Sequence, residues 1–211
     1  MKRFVWALSA VGVFGLFALQ HFTQVKGVEL VGMAGTHRPA AVAAAKRFGV
    51  ADIEEVDVLV GRRDIDLVYI ATPPFLHHPQ ATAALEAGKH VICEKPLALS
   101  VDQADAMTDL AAKRDCLLVV NLMQRYNPLF DAIRQLIESK ALGEPLHGYF
   151  ENYASDEGLS ADHWFWDRDK SGGYSSNTVS IFSICSPAGS VRVKWWRHNE
   201  ACGRGPTSKS R

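Results

Sequence analysis

Cysteine is scarce in this sequence, and the four present, Cys93, Cys116, Cys185 and Cys202, form no pattern. No two are spaced as a CxxC pair, a zinc-ligand set or a disulfide framework, so neither a metal site nor an oxidising compartment is implied. A reducing, cytoplasmic setting is the expectation. Charge of one sign is missing too, since 23 acidic residues balance 23 basic ones. That removes the electrostatic case for a nucleic-acid partner or an anionic membrane surface. Internal repeats and low-complexity linkers are absent. A full-length membrane span is lacking as well. Residues 4–19 are almost unbroken apolar after Met1-Lys2-Arg3. A spanning helix wants about 20 such residues, and no small-x-small cleavage site follows. Two readings of the run stay open: a signal or short anchor that would export or attach the protein, and a buried first strand running into a helix. The sequence that follows favours the second.

What is present is an ordinary globular composition, 47% hydrophobic over 211 residues, enough for one full domain and part of another. Short apolar runs alternate with helical stretches. Residues 28–33, 66–71, 90–93 and 116–121 read as strands. The strand at 66–71 stops at Thr72-Pro73-Pro74, because proline cannot donate to a sheet ladder. Residues 39–48 and 80–86 read as helices closed by Gly49 and Gly88. Ser100 with Gln103 makes a capping box, opening a helix expected to bury Val101, Ala104, Met107 and Ala111. Asn127-Pro128 opens another, with Phe130, Ile133, Leu136 and Ile137 on its apolar face and Gly143 at its end. Apolar strands alternating with helices call for a parallel sheet covered on both faces. The fold class is therefore α/β, a doubly wound, Rossmann-like domain over residues 1–145. The beginning of an α+β substrate domain is expected at 146–173, with residues 146–153 as its first strand.

Ligands of such sheets sit at the carboxyl ends of the strands. After the first strand stands Ala10-Val11-Gly12-Val13-Phe14-Gly15, a degraded GxGxxG with alanine at the first glycine. Gly12 and Gly15 would let the backbone approach a pyrophosphate; two glycines in an apolar helix fit the same residues. After the second strand come Gly35-Thr36-His37-Arg38. No acid stands there to bind ribose hydroxyls, and Thr36, His37 and Arg38 suit a 2′-phosphate, so NADP is favoured with NAD still open. A polar turn before a helix is the plainer alternative. Further on come Thr72, Pro73 and His77, then Glu94-Lys95-Pro96. A lysine at a strand end can donate to a substrate oxygen and, when partly desolvated, move a proton. Taken singly, Glu94-Lys95 also fits a surface ion pair, and His77 a turn residue.

The segments ATPPFLHHPQATAALEAGKHVICEKPLA and NLMQRYNP, in this order and spacing, resemble the Gfo/Idh/MocA oxidoreductases over residues 24–173. The resemblance implies that Lys95 is the catalytic lysine beside nicotinamide and substrate. It places Thr72, Pro73 and His77 on the nucleotide-contacting loop, makes Glu94 the companion acid, and sets Gln124 and Arg125 at a strand end near the nicotinamide. It implies hydride transfer between NAD(P) and a sugar, polyol or related carbonyl compound, with the cofactor doing the redox chemistry. It also implies a large antiparallel second domain that carries substrate contacts and makes the full-length form a homo-oligomer.

The chain departs from that pattern after Gly173. A helix bearing an acid and a histidine is expected there, and residues 174–211 instead show no periodicity and end in polar, basic sequence. Restoring one base after the Gly173 codon permits 174–192 to read IFIEHGVHFFDLFAGWLGP, which contains the expected acid and histidine. Residues 174–211 are accordingly expected to be an out-of-frame or disordered tail, with a genuinely divergent C-terminus as the plainer alternative, and a chain ending so is expected to have weak or no dehydrogenase activity. A shifted frame over residues 5–14 likewise permits an IGCGRI-like string. Trp164, Trp166 and Asp167 offer surfaces for a sugar, although aromatics at such positions usually pack.

Overall fold

The computed structural model describes residues 4–9, 13–35, 38–50, 52–141, 143 and 159–172. Six parallel strands form its sheet: β1 (Phe4–Ser9), β2 (Val28–Ala34), β3 (Asp52–Glu54), β4 (Leu67–Ile70), β5 (His90–Cys93) and β6 (Leu118–Val120). Their order is β3-β2-β1-β4-β5-β6. The apolar run near the N-terminus is thus a central strand, paired on one side with β2 (Leu8 opposite Met33) and on the other with β4 (Leu8 opposite Tyr69). It leads into α1 (Val13–Phe22). Among the described residues, no helix is long and apolar enough to cross a membrane.

Right-handed crossovers decide which face each helix covers. The chain steps outward from β1 to β2 to β3, which puts α1 and α2 (Arg38–Phe48) on one face. It then returns to β4 and steps the other way, which puts α3 (Val56–Gly61), α4 (His77–Glu86) and α5 (Val101–Lys113) on the opposite face. Side-chain alternation in β4 serves both layers. Tyr69 packs with Leu19, Met33, Ala44 and Ala45, while Val68 and Ile70 pack with Leu59, Leu85, Val91 and Met107. Most of these side chains are fully buried, each contributing roughly 1.5–3 kcal/mol of transfer free energy.

Several expectations are refined. The three-residue strand β3 and the short helix α3 escaped the sequence reading, because a strand of that length carries no measurable period. Helix α4 starts at His77 rather than Gln80, extended by a 3-10 turn over Pro74–Leu76. Ser100 Oγ accepts the Gln103 N–H at 3.2 Å as a capping box requires, but Gln103 Oε1 reaches back to the Leu99 N–H rather than to the cap's own. Val101 is a correction: it is 74% exposed, because a first-turn residue points away from the sheet here, and Met107 and Ala111 supply the buried contacts.

The chain separates into two compact units, Met1–Asn121 and Leu122–Arg211. The sheet belongs to the first. The second holds a 3-10 turn (Met123–Tyr126), α6 (Pro128–Glu138), a 3-10 turn (Trp164–Trp166) and α7 (Arg168–Ser171). Asn127 caps α6 through the Leu129 N–H at 3.0 Å, as its sequence predicts. Ile133 and Leu136, expected on a buried face, are 44% and 48% exposed, and no residue of α6 is buried. The domain boundary expected at 145, the strand expected at 146–153 and the tail expected at 174–211 lie outside the described residues.

Candidate functional site

A doubly wound sheet opens a crevice where the strand order reverses, outside the carboxyl ends of its strands. Here the reversal falls between β1 and β4. Helix α1 begins just past the end of β1, so its N-terminal N–H groups and positive dipole end face the crevice. Gly15 lies in the first turn of α1 and is buried, as close helix–strand packing requires. Gly12, Thr36 and His37 lie outside the described residues. Arg38 is the first residue of α2, exposed at the helix start beyond β2.

Past β4 the loop is tied down by its own polar groups. Thr72 Oγ1 donates to Gln80 Oε1 at 3.0 Å. His77 is 1% exposed and bridges two loops: Nδ1 lies 2.7 Å from the Pro96 carbonyl and Nε2 lies 2.8 Å from the Thr72 carbonyl. A neutral imidazole has one N–H and can donate to only one of those carbonyls at a time. Burial pulls the ring below its usual range towards that neutral form, and the two carbonyls pull it back towards the imidazolium. With both ring nitrogens engaged by backbone, His77 reaches the crevice by shaping the loops around it. Pro73 precedes the 3-10 turn with extended backbone.

The end of β5 carries the densest chemistry. Glu94, 5% exposed, continues the ladder through its N–H to the Ile70 carbonyl at 2.9 Å. Its Oε1 accepts the Tyr69 hydroxyl at 2.6 Å and the Asn121 amide at 2.8 Å. The same amide donates to the Tyr69 oxygen at 2.9 Å. Glu94 Oε2 takes a longer 3.4 Å bond from the Lys95 N–H. Burial, and then the neighbouring carboxylate, push the Tyr69 hydroxyl well above its usual range, so it serves as a donor. Lys95 follows, half-buried, with burial lowering its ammonium from the usual lysine range while Glu94 opposes the shift. Beside it, burial drives the Cys93 thiol up, which keeps it protonated and unreactive.

Thr72, Pro73, His77, Glu94 and Lys95 therefore gather at the ends of β4 and β5. Gln124 and Arg125 stand in the 3-10 turn Met123–Tyr126 of the second unit, with Arg125 exposed. Asp167, a candidate sugar contact, is occupied as the cap of α7, accepting from the Asp169 N–H at 2.9 Å and pairing with Lys170 at 3.2 Å. The Trp166 indole donates to the Ser160 carbonyl at 3.0 Å. Two participants escaped the sequence reading, Tyr69 and Asn121. Asn121 carried a signal, a polar residue just past an apolar strand, whereas Tyr69 lies within β4 and carried none. Among the described residues, no cluster of His, Cys, Asp or Glu has the makings of a metal site.

Comparison with known proteins agrees with this geometry. Residues 8–122 match the Gfo/Idh/MocA model, described as an oxidoreductase family with an NAD-binding Rossmann fold. A dTDP-3,4-didehydro-2,6-dideoxy-alpha-D-glucose 3-reductase of Streptomyces violaceoruber is 37% identical over 126 residues, 60% of this chain and 37% of the relative. A 3-ketoreductase from Actinomadura kijaniata, solved in complex with TDP-benzene and NADP, superposes with a TM-score of 0.64 at 28% identity, over 68% of this chain and 46% of that one. The scyllo-inositol dehydrogenase of Lactobacillus casei, solved with NAD(H) and scyllo-inositol, gives a TM-score of 0.63 at 26% identity, over 67% of this chain and 43% of that one. The chain thus spans less than half the length of these relatives.

Proposed function

The chain belongs to the Gfo/Idh/MocA oxidoreductase family, and from that premise we propose that it is the cofactor-binding part of an NAD(P)-dependent oxidoreductase acting on a sugar, polyol or related carbonyl compound. The carrying observation is the crevice itself: α1 opens at the reversal of strand order, and Lys95 stands half-buried two strands away, at the end of β5. The residues present fit a dinucleotide. The N-terminus of α1 would hold the pyrophosphate. Arg38 at the start of α2 would pair with a 2′-phosphate, and Gly35 in place of an acid removes the repulsion such a phosphate would meet. NADP is therefore the favoured form, with NAD the alternative. When bound, the nicotinamide supplies the hydride donor or acceptor.

Lys95 is the proton-handling group. Partial desolvation weakens its hold on the proton, which suits an amine that gives up or receives one at a substrate oxygen. Thr72, Pro73 and His77 shape the loop that borders the nucleotide, and the Thr72 and His77 side chains are turned inward to hold it. Gln124 and Arg125 remain candidates for the nicotinamide end. A cytoplasmic setting fits this chemistry.

The test is to titrate the 211-residue chain with NADPH and NADH by nicotinamide fluorescence. Saturable binding, tighter for NADPH, supports the reading, and absence of binding by both overturns it. Binding without turnover on any sugar or polyol is the outcome expected both of a nucleotide-binding module and of an enzyme chain inactivated over residues 174–211.

A further inference from the structure

Glu94 is held in a way that its place next to Lys95 does not require. Burying a carboxylate is costly unless its oxygens are hydrogen-bonded. Here its Oε1 is fixed by two side chains from the strands on either side, the Tyr69 hydroxyl at 2.6 Å from β4 and the Asn121 amide at 2.8 Å from just past β6. Each anchor is itself immobilised. Tyr69 is 1% exposed and packs edge-on against Phe22, with ring centroids 5.3 Å apart. The Asn121 N–H is stitched to the Cys93 carbonyl at 2.7 Å. The triangle closes with the Asn121 amide donating to the Tyr69 oxygen at 2.9 Å. The amide cannot be turned the other way, because its oxygen would then face the Glu94 oxygen at 2.8 Å. Three adjacent strand ends are thus cross-linked through one oxygen of one carboxylate.

We propose that Tyr69 and Asn121 are positioning residues, which fix the Glu94 carboxylate at a set place beside Lys95 and so set the electrostatic environment of the Lys95 amine. The proposal deepens the reading of Lys95 as the proton-handling group and rests on it only for its purpose, because the lysine's titration can be followed without turnover. Charge-assisted bonds in a poorly hydrated site fix both the location and the strength of a carboxylate's field. Both anchors reach the site through the Glu94 carboxylate, to which each is bonded directly. Their effect on Lys95 therefore passes through Glu94, and a mutant cycle isolates that route.

The experiment uses the full 211-residue chain, reductively methylated with 13C-formaldehyde. The Lys95 dimethylamine signal is assigned by its loss in Lys95→Arg and followed by NMR from pH 6 to 12. Tyr69→Phe, Glu94→Gln and the double variant are compared with the parent, with circular dichroism confirming the fold. Tyr69→Phe is expected to displace the Lys95 midpoint by about half a unit or more, and the same substitution in the Glu94→Gln background to leave it in place. A displacement of equal size in both backgrounds, or none in the parent, overturns the proposal, since a packing role for Tyr69 would act without Glu94. Asn121→Ala repeats the cycle from the other side of the triangle and decides the matter if Tyr69→Phe does not fold. Nucleotide titrations on the same samples report separately whether the dinucleotide reading holds.

Discussion

At the ends of β4, β5 and β6 the polar side chains are bound to one another or to backbone, whereas past β2 the group that stands out, Arg38, is exposed at a helix start. The β4–β6 side is preorganised: His77 bridges two loops and Glu94 joins three strand ends. Among the described residues, the β1–β2 side offers the start of α1 and the Arg38 guanidinium. These are two solutions to two problems. A reacting centre must be held in one geometry before substrate arrives, because reorganisation during reaction costs rate. A phosphate needs positive potential and N–H groups, which a helix end and an arginine supply with little local structure. On this contrast, removing a side chain that ties the first side together should cost stability, and substitutions on the second should cost affinity alone.

The sharpest way to break the comparison is His77→Ala. It strips the Pro96 and Thr72 carbonyls of their shared partner and leaves a cavity in a buried site. The expected loss is about 3 kcal/mol or more, read as a fall in the urea midpoint at pH 7 with an unchanged slope. A loss below about 1 kcal/mol would mean that the loops are held by something else. Arg38→Ala is the counterpart on the other side. NADPH affinity should fall about tenfold, the value of one charge-assisted contact, with NADH affinity and the urea midpoint unchanged. Equal weakening of both nucleotides would place Arg38 away from the 2′-phosphate.

How much of this was written in the sequence follows the same division. The periodic elements were readable: β2, β4 and β5 as apolar runs, α5 and α6 by their caps Ser100 and Asn127. The glycine and proline stops marked where ligand-facing loops begin, and so Lys95, Glu94 and Thr72 could be placed at strand ends before any coordinates. The short β3 and α3 could not, because three and six residues hold too little pattern. Tyr69 was legible only as a core strand residue, since nothing local reveals that its hydroxyl meets a carboxylate 25 positions later. Val101 misled because capping-box logic fixes where a helix starts but not its rotation. Long-range partnership, rather than residue type, is what the chain withholds.

Ser100→Ala tests a third position, away from both sets of strand ends. It removes the Oγ that accepts the Gln103 N–H at the start of α5, and about 1 kcal/mol should be lost. Nucleotide affinity should stay the same, since the cap supports the fold and not the crevice. A change in NADPH binding would show that α5 transmits to the site and would blur the contrast between the halves.

The smallest effect expected is also the one that reads preorganisation most directly. Burial lowers the Lys95 ammonium from its usual range, so the folded chain binds that proton more weakly than the unfolded chain does. Below the folded pKa both states carry the charge, and the fold bears the cost of desolvating it. Between the folded value and the ordinary lysine value, near 10.4, the unfolded state holds more protons, so stability rises with pH. Above that range both states are neutral and the cost is gone. Lys95→Met should therefore stabilise the chain modestly at neutral pH, and the gain should shrink as pH rises through this window, followed by urea midpoints from pH 7 to 10.5. Because the side chain is only partly buried, solvent screening keeps the gain small. A residue that stabilises the chain when removed is one the fold keeps for another reason, as expected of a proton-handling group at a strand end. If Lys95→Met destabilises the chain at every pH, the lysine is instead part of the scaffold that holds Glu94, and the β5 end is structural rather than poised for reaction.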